Sequence, residues 1–233
     1  MNISVLIPNY NKGEFVADAI ESVIRQTTHR WDIYWCDDGS TDDSRENVRK
    51  FENNPKVNIM FNEKNMGLGY TLDRLIKASK NDLVCFLGSD DGLVPDCLEK
   101  VLRVYEKHPE YGFVYTNFWF CDLKFNKIRR GHSRKLPPGR TNLEADCISA
   151  MQTFRKSMYL ATEGLDQSLT GAIDKDLIYK LEEVTKPVFL NECLYLYRRL
   201  KHSMSRGNGA HNVVQNCLKV RKAAGKRRGI IVV

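Results

Sequence analysis

The sequence lacks the features that would place it in several large classes. None of its seven Cys, at positions 36, 85, 97, 121, 147, 193 and 217, belongs to a CxxC or CxxH pair, which excludes the usual opening of a zinc site. Their odd number and scatter exclude a disulfide framework. Thiols set in apolar runs such as Leu83–Leu87 read as small core hydrophobes in a reducing compartment. No apolar run reaches the roughly 18–20 residues that cross a bilayer. The chain enters a strand-like Ile3-Ser4-Val5-Leu6-Ile7-Pro8 at once, without the basic, apolar and cleavage segments of a secretory signal, so the expected location is the cytoplasm. There is no GxxxxGK[ST] phosphate loop. Gly67-Leu68-Gly69 lacks the rest of a dinucleotide fingerprint and follows the third strand instead of the first, so it reads as a helix-entry turn. Zinc-finger spacing and RNA-binding aromatic motifs are also missing, and no nucleic-acid partner is expected.

What is present is a globular composition with an uneven charge. The 233 residues carry 36 Lys and Arg against 29 Asp and Glu, a formal charge of +7. That length allows one large domain or two small ones, with a sizeable core. Ten cations and no acid lie between Arg198 and the C-terminus, and seven more with no acid lie between Lys124 and Arg140, leaving 19 basic and 29 acidic residues elsewhere. A basic tail on an acidic body is either a solvated face or a contact with a polyanion. The expected form of that contact is peripheral attachment to the inner face of an anionic membrane, or a phosphate-bearing substrate.

The first half alternates strand and helix patterns. Strands are expected at Ile3–Ile7, Asp32–Cys36, Val57–Phe61, Leu83–Leu87 and Phe113–Asn117. Phe15, Val16, Ala19, Ile20, Val23 and Ile24 draw one apolar stripe along a helix from Gly13 to Gln26. A second helix is expected after Asp37-Asp38-Gly39, capped by Ser40 or Thr41, with Asp42 and Asp43 in its first turn. A third fits Leu68–Ala78, and a fourth follows Pro95 with Cys97, Leu98, Val101, Leu102 and Tyr105 on one side. Such alternation predicts an α/β fold, an open twisted, mostly parallel sheet flanked by helices, with its ligand crevice beyond the carboxyl ends of the strands.

Those ends are acidic. Pro8-Asn9-Tyr10-Asn11-Lys12 leaves the first strand, Asp37-Asp38-Gly39-Ser40 the second and Gly88-Ser89-Asp90-Asp91-Gly92 the fourth. Either Asp-Asp-Gly alone reads as a turn with capping acids. Two such pairs on one rim need a compensating cation, because adjacent carboxylates repel and are costly to bury. Hard oxygen ligands select Mg²⁺ or Mn²⁺, which bridge protein carboxylates to diphosphates.

Four blocks, Ser4–Asn11, Ala19–Thr27, Asp37–Asp42 and Leu87–Asp91, together resemble the family 2 glycosyltransferases in order and spacing over about the first 120 residues. The resemblance implies a GT-A fold and inverting transfer of a hexosyl group from a nucleotide-diphosphate sugar, expected to be a UDP-sugar, to the hydroxyl of a glycan or lipid-linked acceptor. It implies that Pro8, Asn9 and Tyr10 line the nucleoside pocket, and that Asp38 accepts a hydrogen bond from the base while Asp37 shapes the loop. It also implies that Asp90 faces the ribose or sugar and that Asp91 ligates Mn²⁺ or Mg²⁺. Chemistry agrees: departure of the diphosphate builds negative charge that a cation stabilises, and the acceptor must lose a proton to a base.

In the second half the resemblance places that base in Ile173-Asp174-Lys175-Asp176-Leu177, at Asp174, with Asp176 in reserve. The residues alone also allow Asp174 to be a helix cap. Ile173 stands where the family pattern has Glu, which keeps open a second reading, a non-catalytic nucleotide-sugar-binding protein of the same fold. A nucleotidyltransferase is a third, but Pro8–Asn11 is not the Gly-rich phosphate loop it requires. The segment Tyr195–Ser205 is similar to the family's Tyr-Arg-x-His-x-x-Ser, implying that Arg198 and His202 contact the diphosphate. Residues 124–140 are expected to be a loop on the acceptor side, and His211–Ala223 a short helix with Lys219, Arg221 and Lys222 exposed. The expected organisation is a nucleotide-sugar-binding half at 1–120, an acceptor and catalytic-base half at 121–205 and a basic tail at 206–233.

Overall fold

The computed structural model describes residues 1–200 and 209–230. Its centre is four parallel strands in the order β3-β2-β1-β4, formed by β1 (Ile3–Asn9), β2 (Trp31–Asp37), β3 (Val57–Phe61) and β4 (Leu83–Phe86). Between them run α1 (Gly13–Ile24), α2 (Ser44–Val48) and α3 (Leu68–Ala78). Period-two alternation splits β1 between two cores: Ile3, Val5 and Ile7 point to one face and Leu6 to the other. The first core is closed by α1, α2 and α4 (Cys97–Lys107), which follows the short β5 (Gly92–Leu93).

Two helix boundaries differ from the sequence reading because polar side chains take other work. α1 stops at Ile24, and Gln26 is buried, donating to Val94 O at 2.7 Å and accepting from Leu98 N at 2.8 Å in the first turn of α4. α2 starts at Ser44, not after Ser40 or Thr41. Asp42 accepts from Ser44 N at 3.0 Å and, with its other oxygen, from Gly13 N at 2.8 Å, serving the starts of two helices.

Beyond β4 the sheet is mixed, so the mostly parallel arrangement holds for the first half. β6 (Phe113–Cys121) is followed by β7 (Lys127–Arg130), α5 (Asn142–Ala145), β8 (Gln152–Arg155), α6 (Lys156–Leu160), α7 (Ile173–Val184), β9 (Pro187–Arg198) and α8 (Gly209–Arg228). The order continues β4-β8-β6-β9-β5, with β7 paired to β6. β8 is antiparallel to β4 and β6, whereas β9 runs parallel to β6 and antiparallel to β5. The second core joins α3, α6, α7 and α8 to the opposite face.

β7 corrects the expected loop. All four of its residues are exposed, so it has no buried face to create a hydrophobic period. It is held by the ladder to β6 and by Lys127 and Arg129 lying over the rings of Trp119 and Phe120, at 5.3 and 3.9 Å. The expected helix in the basic tail is longer than read, Gly209–Arg228, and docks Val220 and Ala224 into the second core. Val214 and Leu218 are exposed and face outward. All seven Cys are free, five of them buried.

Tyr105 ties the layers together. Its buried hydroxyl donates to Thr153 O of β8 at 2.8 Å and accepts from Val114 N of β6 at 3.1 Å. Tyr105→Phe keeps the ring and leaves both backbone groups without that partner, so urea denaturation should show a loss of about 1–3 kcal/mol. An unchanged midpoint would mean the hydroxyl contributes nothing to the fold.

A candidate active site at the strand ends

Parallel pairing sets Asn9 opposite Asp37, so the loops leaving β1, β2 and β4 open on one rim. Asn9 Nδ2 donates to Asp37 Oδ1 at 3.1 Å and to Ser40 Oγ at 3.2 Å. Asp37 is fully buried, and its Oδ2 accepts from Arg45 Nε at 2.7 Å and Ser40 N at 3.1 Å. Gly39 is required where it stands: its φ is +73°, and an added Cβ would lie 2.5 Å from Asn65 N. Of the residues expected around a nucleoside, Pro8 is half-buried, Asn9 is buried within this network and Tyr10 is exposed.

Asp38 is 4% exposed and holds the β3–α3 connection. It accepts from Asn62 Nδ2 at 2.7 Å, Met66 N at 2.8 Å and Gly67 N at 2.9 Å. Loop shaping, assigned to Asp37 from the sequence, is thus shared by both carboxylates. Three of the roughly four acceptor positions on Asp38 are occupied, and the remaining one is on Oδ2.

The second pair divides its partners. Asp90 Oδ2 pairs with Lys12 Nζ at 2.9 Å, joining the β1 loop to the β4 loop. Asp91, 6% exposed, accepts from Tyr195 Oη at 2.6 Å and from Arg198 N at 2.8 Å, both on β9. Burial, and then the neighbouring Asp90 charge, push the Asp91 carboxyl up to about 8. The Tyr195 hydroxyl also accepts from Gly88 N at 3.0 Å, and burial beside Asp91 drives its pKa well up. The two carboxylates converge over Gly88, where a Cβ would meet Asp91 Oδ2 at 2.8 Å and Asp90 Oδ1 at 3.2 Å. This cradle of hard oxygens fits a small divalent cation that completes its shell with phosphate oxygens and water. Among the described residues no cluster of three or more His, Cys, Asp or Glu gathers as a metal site.

Arg198 is not presented to the rim as the resemblance implied. Its guanidinium is buried between Phe15 and Phe125, donates to Leu123 O at 2.8 Å and pairs with Asp18 at 2.8 Å. It is the backbone N–H of Arg198 that reaches Asp91. His202 lies outside the described residues.

Asp174 and Asp176 stand on opposite sides of α7. Residues two apart on a helix do not share a face. Asp176 is 3% exposed, pairs with buried Lys180 at 2.9 Å and accepts from Asp166 N at 2.9 Å, so the reserve base is committed to the interior. Asp174 is exposed and has no hydrogen bond or ion pair among the described residues. It is not the helix cap either; that position is Ala172, at φ +60°. Ile173, 2% exposed, faces Gly69, whose added Cβ would lie 3.5 Å from Ile173 Cδ1. The start of α7 therefore packs on the start of α3, beside the loop that Asp38 holds. Two concavities, of about 440 Å³ beside β5 and β9 and about 300 Å³ between α7 and α8, are lined by none of Asp38, Asp90, Asp91 or Asp174.

The sequence reading missed Lys12 and Tyr195 as partners of the acidic pair. Both stand in the quoted runs, Lys12 in the loop after β1 and Tyr195 within β9, but only the sheet order puts them beside Asp90 and Asp91.

Comparison with known proteins agrees with this arrangement. The model of glycosyl transferase family 2 matches residues 4–162, and the chain belongs to that family. It is 29% identical over 194 residues to a chondroitin synthase of Escherichia coli, covering 83% of this chain but 28% of that protein. Among solved structures it is similar to residues 1–349 of Staphylococcus aureus TarS in complex with UDP-GlcNAc, with TM-score 0.75 and 19% identity over 89% of this chain and 61% of that one. A mannosyltransferase of Pyrobaculum calidifontis, solved with GDP-Man and Mn²⁺, gives TM-score 0.64 at 13% identity, covering 95% of this chain and 61% of that one. These likenesses establish the GT-A fold. The chain spans less than a third of the chondroitin synthase.

Gly88→Ala should displace the paired carboxylates while sparing both cores. The expected outcome is a folded protein by circular dichroism whose donor affinity, read by calorimetry, falls at least tenfold; wild-type affinity would show that the cradle is unimportant.

Proposed function

We propose that the protein transfers a sugar from a UDP-sugar to an acceptor hydroxyl with inversion at the anomeric carbon, using Asp174 as general base. The observation that carries this reading is the contrast on α7. One carboxylate is exposed, has no hydrogen bond or ion pair among the described residues and follows Ile173, which packs on α3; the other is buried in an ion pair. A base must keep an acceptor position open, which supports Asp174 over Asp176.

The donor lies, in this reading, along the rim from Tyr10 to Asp91. Pro8, Asn9 and Tyr10 line the nucleoside side, and the free position on Asp38 Oδ2 accepts from the base. Asp91, with Asp90 beside it, fits the divalent cation, Mn²⁺ or Mg²⁺, which when bound neutralises charge on the leaving diphosphate. Lys12, next to Asp90, adds a fixed positive charge at the same place. Tyr195 and the Arg198 backbone orient the Asp91 carboxylate. The acceptor, a glycan or lipid-linked sugar, approaches from the α7 side, where Lys175 is paired with Asp146. Ile173, in place of Glu, is spent on the contact with α3 and contributes no charge to that side.

Asp174→Asn should retain UDP-sugar binding by thermal shift and lose about 10²–10⁴-fold in turnover. Turnover at the wild-type rate would remove Asp174 from the mechanism. Metal-dependent donor binding by the wild type, with neither transfer nor hydrolysis across a panel of UDP- and GDP-sugars, would favour the non-catalytic binder. Asp176→Asn should behave differently: it strands Lys180, so urea denaturation should show about 3–5 kcal/mol of lost stability.

A further inference from the structure

The cations of the C-terminal segment divide by what surrounds them. Some cations of α8 are paired: Lys219 with Asp166 at 3.2 Å, Arg227 with Glu183 at 2.9 Å and Arg228 with Glu182 at 3.2 Å, while Arg198 is buried against Asp18. These charges are neutralised by the acidic body. On the outer side Val214 and Leu218, one helical turn apart, are 56% and 47% exposed. Arg221, Lys222 and Lys226 flank them and have no ion pair among the described residues, and the sequence has no acid from Arg198 onward. α8 also borders the base. Asn216 Nδ2 donates to Thr170 Oγ1 at 3.0 Å, and Val213 Cγ2 lies 3.1 Å from where Gly171 would carry a Cβ, three residues before Asp174.

We propose that the outer face of α8 is a docking surface for an anionic lipid bilayer, with Val214 and Leu218 entering the headgroup boundary and Arg221, Lys222 and Lys226 contacting lipid phosphates. Two aliphatic side chains among unpaired cations match that boundary, whereas the core of a protein interface is depleted of charge and needs a larger apolar area. The surface goes beyond the sugar-transfer reading and rests on it only for its purpose: a bilayer on α8 lies next to Asp174, where an acceptor carried in the membrane is within reach. The contact uses part of the basic tail, since Lys219, Arg227 and Arg228 of α8 are already paired.

Sedimentation of the full chain with vesicles tests this without donor or acceptor. Binding should occur to phosphatidylcholine containing phosphatidylglycerol, be absent with phosphatidylcholine alone, and fall steeply as salt is raised. The triple variant Arg221→Gln, Lys222→Gln, Lys226→Gln should lose about a hundredfold in partitioning. Val214→Ser with Leu218→Ser should lose about tenfold or more at fixed salt. All variants should keep the wild-type melting temperature. Lys124→Gln with Arg130→Gln, in the other basic stretch, should leave partitioning unchanged. Equal binding to neutral vesicles, no binding to anionic ones, or a loss that follows residues 124 and 130 instead of α8 would overturn the proposal. Unchanged turnover of the triple variant on a soluble acceptor would separate membrane docking from catalysis.

Discussion

Four carboxylates placed where parallel strands end must each find donors, and the way they do so organises the molecule. Asp37 turns to Asn9, Ser40 and Arg45, and Asp38 to the backbone before α3. Asp90 turns to Lys12 and Asp91 to β9. The bonds to Asn9, Met66, Gly67, Lys12, Tyr195 and Arg198 link segments distant in the sequence, so repulsion within each pair is offset by donors that bind neighbouring segments together. Loops that would otherwise move independently become one shelf whose oxygens are held in fixed directions.

The same rule of burial separates the two acids on α7. They are two residues apart and chemically identical, and a helix sends them to opposite sides. The inner one becomes a structural ion pair, and the outer one is left exposed to solvent. Membership of glycosyl transferase family 2 gives this arrangement a context. The assignment of roles rests on which carboxylate is accessible.

Much of the first half was legible in the sequence because local patterns carried it. The helix Leu68–Ala78 and the strand Val57–Phe61 have the bounds their periodicity predicts, and the acidic runs do fall at strand ends. The misreadings have one cause. Gln26 was read as the end of a helix but caps another helix from more than 70 residues away. β7 has no buried face and so no period. The family resemblance of Tyr195–Ser205 implied that Arg198 is a phosphate ligand, yet two aromatic rings and Asp18 claim it.

By itself the sequence determined which segments become strands and helices and which residues carry charge, since side-chain periodicity and turn chemistry act over a few residues. Tertiary structure alone decided which charges are available. Tyr195 reaches Asp91 across 104 positions and Lys12 reaches Asp90 across the rim, because β9 inserts beside β5 and β1 lies next to β4. Bonds of that range leave no local pattern, so whether a carboxylate is a ligand, a base or a structural tie depends on what the folded sheet brings against it.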